Sequence, residues 1–178
     1  RTLSQQVLSP AKIVTDMNNS ISDNNESNMF VTLIVGILDL ETGKLKLCNA
    51  GHNPPILIRP DGQVSFLEFK TQIFVGVIEE FAYTEDETTL EKGSKLFLYT
   101  DGVTEAENTE KELYGDEKLL KTLSDNNTSD VRTTVNGIED SVADHVKEAE
   151  ASDDLTILLI QYEPGQQTIK HISLWKEK

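Results

Sequence analysis

Apolar residues at Leu8, Ile13, Met17 and Ile21 recur at helical spacing, with Ser9 and Pro10 suited to N-cap and first-turn positions, so residues 8–21 predict a helix. The polar stretch 22–28 breaks that period and reads as a loop. Residues 29–40 form a long run rich in Val, Ile and Leu, expected to be a strand buried on both faces. Glu41-Thr42-Gly43-Lys44 has turn chemistry, and residues 44–49 then alternate, with Leu45 and Leu47 apolar, which predicts a hairpin. Arg59-Pro60-Asp61-Gly62 between residues 56–58 and 64–69 predicts a second one. Residues 95–100 and 155–162 read as two further buried strands, and the first half of the chain as mostly antiparallel β.

The helices come later. Residues 113–123 are a short candidate. Residues 130–148 are stronger, because Val131, Val135, Ile138, Val142 and Val146 step by four, three, four and four. Ser129 is the expected N-cap. Residues 168–175 alternate enough to predict one more strand. No repeat and no long linker divides the chain, so residues 1–178 are read as one α+β domain.

Composition narrows the function classes. The formal net charge of −15 argues against nucleic acid and anionic membrane surfaces, which are held by clusters of Lys and Arg. No apolar run approaches the roughly 20 residues needed to cross a bilayer. A single cysteine, Cys48, excludes an internal disulfide framework and any multi-Cys zinc site. The expected setting is the cytoplasm, or the cytoplasmic part of a larger sensor protein. The chain opens on Arg1, with neither a methionine nor a signal-peptide pattern, so it is expected to be a piece of a longer protein.

Three segments could carry chemistry. In Tyr99-Thr100-Asp101-Gly102-Val103, a buried strand ends at an Asp followed by a glycine that would permit a tight turn. Asp-Gly is also an ordinary turn dipeptide. In Ser152-Asp153-Asp154-Leu155-Thr156, two carboxylates precede a buried strand, which is equally a common loop or cap arrangement. If the strand ending at Thr100 pairs antiparallel with the one beginning at Leu155, Asp101 and Asp153 fall at the same sheet edge. Carboxylates gathered there repel unless cations lie between them, and oxygen-only ligation suits Mg²⁺ or Mn²⁺ rather than zinc. The third segment is the small turning loop Asn49-Ala50-Gly51-His52-Asn53-Pro54-Pro55. His52 could contact a phosphate, donate a proton or shape the rim of a site; alternatively, its imidazole pins the loop through a backbone hydrogen bond.

These segments, with Met29-Phe30-Val31-Thr32-Leu33 ahead of them and Phe97 to Ala106 around Asp101, match a known family in order and spacing. Across residues 8–162 the chain resembles the SpoIIE-type branch of the PPM (protein phosphatase 2C-like) metal-dependent serine/threonine phosphatases, leaving 163–178 as an extra strand or tail. The resemblance implies two packed antiparallel β-sheets flanked by helices. It also implies a binuclear Mn²⁺ or Mg²⁺ centre whose bridging water attacks the phosphorus of phosphoserine or phosphothreonine in line, without a phosphoenzyme. Metal ions about 3.5–4 Å apart supply hydroxide near neutral pH and neutralise developing charge. Carried over by motif, Asp101 and Asp153 are metal ligands at the catalytic centre, with Asp154 an adjacent, weaker candidate. The segment 72–80, with Gly76, resembles a regulatory region that positions ligands in this family. The implied partners are phosphorylated anti-sigma-factor antagonists of bacterial partner switching.

The sequence also departs from the family. Relatives carry a Gly-Asp-aromatic-aromatic-Asp motif on early strands that supplies the acid bridging both metals, and nothing before Met29 resembles it. Asp16 and Asp23 do not follow glycine, and Gly115-Asp116 comes after the metal strand. Ser94 stands where the family more often has Asp. The expectation is a domain lacking its N-terminal strands, binding metal weakly, with little hydrolysis and a sheet edge open to homodimer pairing. The alternative is a degenerate, non-catalytic member that binds a partner. A phosphatase with Asp101 as nucleophile is excluded, because the second Asp it needs two residues on is Val103 here.

Overall fold

The computed structural model describes residues 9–23, 25, 29–149, 153–165 and 172–174. In chain order the first elements are α1 (Pro10–Ser22), β1 (Leu33–Leu38), β2 (Lys44–Ala50), β3 (Ile56–Ile58), β4 (Val64–Phe66), β5 (Thr71–Gln72) and β6 (Asp86–Thr89). There follow β7 (Lys95–Tyr99), α2 (Asp101–Thr104), α3 (Gly115–Asp125), α4 (Val131–Val146), β8 (Thr156–Gln161) and β9 (Ile172–Leu174). The fold is α+β with two sheets, as the sequence predicts. The chain forms two compact units: Arg1–His52 with Glu68–Leu90, and Asn53–Leu67 with Glu91–Lys178.

In the first unit β2 is the central strand. It pairs antiparallel with β1 and β6 and parallel with β5, a departure from purely antiparallel order. α1 begins where predicted: Ser9 is the N-cap, its hydroxyl accepting from Lys12 N, and Pro10 opens the helix. Val14, Cys48, Ala50, Val75 and Tyr83 make one core cluster, and Leu45, Leu47 and Leu90 are buried as well. Buried polar side chains complete it. Asn18, fully buried, donates to the Ile78 carbonyl and accepts from Gly76 N, both at 2.9 Å, tying α1 to the segment 72–80. Gln72 bonds Thr84 through its backbone N–H, hydroxyl and carbonyl.

One expectation fails in this unit, and two strands were not foreseen. The run 29–40 is not buried on both faces. β1 is partly exposed along its length, and Met29 and Phe30 are 67% and 59% exposed. Among the described residues β2 is the one ladder partner of β1. An apolar run states what a strand could bury, while its neighbours decide what is covered. The strands β5 and β6 have no signal in the sequence, since Thr-Gln and Asp-Glu-Thr-Thr carry no apolar alternation.

The second unit holds a five-stranded sheet in the order β4-β3-β7-β8-β9, antiparallel throughout. β9 falls within the predicted 168–175; residues 168–171 and 175 lie outside the described residues. Phe97, Ile157 and Leu159 from the sheet pack with Leu119 and Leu123 of α3 and Val135, Ile138 and Val142 of α4. Each such side chain contributes roughly 1.5–3 kcal/mol on burial. The N-cap of α4 is Asp130, not Ser129: its carboxylate accepts from Arg132 N and Thr133 N. Ser129 is placed otherwise, its carbonyl taking a bond from the buried ammonium of Lys95, which also reaches the Asn127 carbonyl.

Candidate active site

The candidate site lies at one end of the second unit's sheet, where β7 runs out and β8 begins. The two strands pair antiparallel with Tyr99 opposite Ile157, and Thr100 N donates to the Thr156 carbonyl at 3.1 Å, carrying the ladder one residue past β7. The next residue on one side is Asp101; on the other, Leu155 leads back to Asp154 and Asp153. The predicted pairing therefore holds, and it gathers Asp101, Asp153 and Asp154 at a single edge.

Two features fix this arrangement. The Thr100 hydroxyl donates to the Asp154 carbonyl and accepts from Thr156 N, each at 3.1 Å, stitching the two chain segments together beyond the last backbone pairs. Gly102 packs directly on Asp154: a Cβ there would lie 2.5 Å from the Asp154 carbonyl oxygen and 3.0 Å from its carbon. This corrects the expected role of that glycine. Gly102 sits in the right-handed helical turn α2 rather than in a tight turn, and what it supplies is close approach, not conformational freedom.

All three carboxylates are exposed. Asp101 Oδ1 accepts from Gly102 N at 3.0 Å, and Asp153 Oδ1 from Asp154 N at 2.7 Å, so backbone amides orient both groups. Among the described residues, none of the ion pairs involves Asp101, Asp153 or Asp154. Beside it Tyr99 is buried, which pushes its phenol up to about 12, with the Asp116 charge adding to the effect, so it stays protonated. Exposed, backbone-oriented carboxylates at a sheet edge suit a hard divalent ion, and Mg²⁺ is typically held through one or two carboxylates and several waters. Among the described residues no group of three or more His, Cys, Asp or Glu side chains could hold a metal by itself.

His52 belongs to the first unit. Its loop is pinned by Asn49, which the sequence did not mark. The Asn49 side chain is buried, accepts from His52 N at 2.8 Å and donates to the His52 carbonyl at 2.9 Å. Gly51 has φ +77°, and a Cβ there would meet the Phe74 ring at 2.0 Å, so both its conformation and its space require glycine. Thr100 was missed too; its signal was a hydroxyl residue at the end of a strand whose partner opens with Asp-Leu-Thr.

The chain is similar to known proteins over most of its length. The family model of stage II sporulation protein E (SpoIIE) matches residues 1–163. The chain is 30% identical over 139 residues to Protein IcfG of Synechocystis sp. (strain PCC 6803), covering 78% of this chain and 22% of that protein. It is 24% identical over 161 residues to phosphoserine phosphatase RsbU of Bacillus subtilis, covering 90% and 47% respectively. The chain thus spans less than half the length of either relative. Among solved structures, the SiaA-PP2C domain of Pseudomonas aeruginosa shares the fold with a TM-score of 0.76 at 18% identity, over 87% of this chain and 61% of that one.

Proposed function

Because the chain belongs to the SpoIIE family, we propose that its protein is a metal-dependent phosphatase acting on phosphoserine or phosphothreonine in a partner protein. The observation that carries this reading is the locked edge, where Thr100 and the Gly102–Asp154 contact bring Asp101 and Asp153 together. Asp101 and Asp153 would hold Mn²⁺ or Mg²⁺, with Asp154 next to them. A metal pair bound there supplies a nucleophilic hydroxide and neutralises charge developing on the phosphoryl oxygens. The protein's own contribution is positional. Backbone amides fix the rotamers of Asp101 and Asp153, and the rigid sheet end holds their spacing while a phosphoryl group is attacked.

By family resemblance, the substrate is a phosphorylated anti-sigma-factor antagonist, met in the cytoplasm. No helix among the described residues is long and apolar enough to cross a membrane. The β1 edge is where a second copy would pair. A binding-only role is the second reading, favoured by the lack of a three-residue ligand cluster among the described residues. Measuring Mn²⁺-dependent phosphate release by the intact protein decides between them. Hydrolysis is expected, and Asp101→Asn should lower it by at least about 10²-fold, since a ligand of the catalytic metal is lost. An undiminished rate in that variant would remove Asp101 from the site.

A further inference from the structure

Helix α4 ends in a conformation that glycine commonly supplies and that here falls to a lysine. Lys147, its C-cap, has φ +53° and ψ −110°, and its N–H donates to the Ala143 carbonyl. Two other non-glycine residues among the described ones have positive φ, Glu80 and Lys111. Lys111 is held by an ion pair with Glu107, and Glu80 belongs to the first unit. Of the three, Lys147 is the one beside the candidate site. It lines a groove of about 400 Å³ whose walls also include Gly102, Asp153 and Leu155. Backbone strain of this kind persists where the surroundings enforce it, and it gathers at sites that bind or react.

Charge gives the lysine its use. It is the one cation among the residues lining the groove, it is exposed, and none of the ion pairs among the described residues involves it. A phosphoserine carries roughly −1.5 to −2 in charge. It would meet an edge that already holds Asp101, Asp153 and Asp154, on a chain of formal net charge −15. Bound metal offsets part of that repulsion. An ammonium on a flexible four-carbon stem acts on phosphate oxygens as a point charge, and a cation already in place needs no reorganisation when charge develops.

We propose that Lys147 is a phosphate-binding residue, its ammonium crossing the groove to the non-bridging oxygens of a substrate phosphoryl group held at the Asp101–Asp153 edge. The proposal rests on the phosphatase reading above. The strained C-cap sets where the stem leaves α4, so its conformation serves the site. A lysine that only answered the helix dipole would need no positive φ.

The test uses the intact natural protein with Mn²⁺, a phosphoserine peptide as substrate and inorganic phosphate as competing ligand. Lys147→Gly removes the cation and relaxes the backbone, because glycine takes positive φ about as readily as negative. Its denaturation midpoint is expected to hold or rise. Its kcat/KM for the peptide should fall about tenfold, and the inhibition constant of phosphate should rise by a similar factor, as loss of one charged contact gives. Lys147→Arg keeps the cation and should stay within about threefold of the wild type on both readouts. An unchanged kcat/KM in Lys147→Gly with a lowered midpoint would make the residue a helix cap. An equal loss in Lys147→Arg would show that the charge is not what counts. Either result overturns the proposal while leaving the phosphatase reading intact. No Mn²⁺-dependent hydrolysis by the wild type overturns both.

Discussion

The two units are held together by different physics. In the second, helices α3 and α4 lay apolar stripes on a five-stranded antiparallel sheet, and the core is a continuous set of Phe, Ile, Leu and Val. In the first, apolar residues such as Val14, Leu47 and Val75 are buried as well, but the loops are fixed by buried amide side chains: Asn18 on Gly76 and Ile78, Gln72 on Thr84, Asn49 on His52. The first unit also leaves Met29, Phe30, Val77 and Ile78 substantially exposed. Apolar packing is non-directional and tolerates approximate partners, whereas each buried amide must meet its own donor and acceptor or pay for desolvation. The second unit should therefore lose stability in proportion to volume removed, and the first in proportion to hydrogen bonds orphaned.

The largest effect should follow Phe97→Ala, which empties the centre of the second core. A loss of about 3–5 kcal/mol is expected, read from the midpoint of chemical denaturation. A cost under ~1 kcal/mol would mean that this core is not close-packed.

Gly102→Ala tests the edge itself. Its methyl group would need the Asp154 backbone to withdraw, at about 1–3 kcal/mol, with Mn²⁺-dependent phosphate release falling more than stability does. Full activity in that variant would show that close approach at the edge is dispensable.

Asn18→Leu addresses the other kind of unit. It keeps much of the volume but orphans Gly76 N–H and the Ile78 carbonyl, so about 1–3 kcal/mol is expected. Faster amide exchange at Gly76 should accompany it. A neutral result would place apolar packing ahead of hydrogen bonding here too, and the contrast between the units would collapse.

The smallest effect concerns pH. Burial, the dominant cause, pushes the Cys48 thiol from 9.0 to about 11. A raised folded-state value means that the protonated thiol favours folding. This contribution is complete below pH 9 and is lost as pH rises through about 11. Cys48→Ala should flatten the fall in stability over that window, and the native thiol should resist alkylation at pH 8.

The sequence by itself determined α4, whose apolar steps are unmistakable, and the two buried strands at 95–100 and 155–162, while their antiparallel pairing stood only as a condition that the structure meets. It also marked Asp101 and Asp153, since acids at strand ends stand out against apolar neighbours. It missed β5 and β6, whose polar residues take strand form only because β2 offers unpaired backbone. It gave β1 two covered faces, because hydrophobicity records capacity for burial and not the presence of a cover. Tertiary structure alone decided that Gly102 serves close approach, that Thr100 stitches the edge and that the Asn49 side chain holds the loop at His52. Each of those roles depends on one atom's distance to a residue far along the chain or across a turn, and neither periodicity nor composition encodes such a distance.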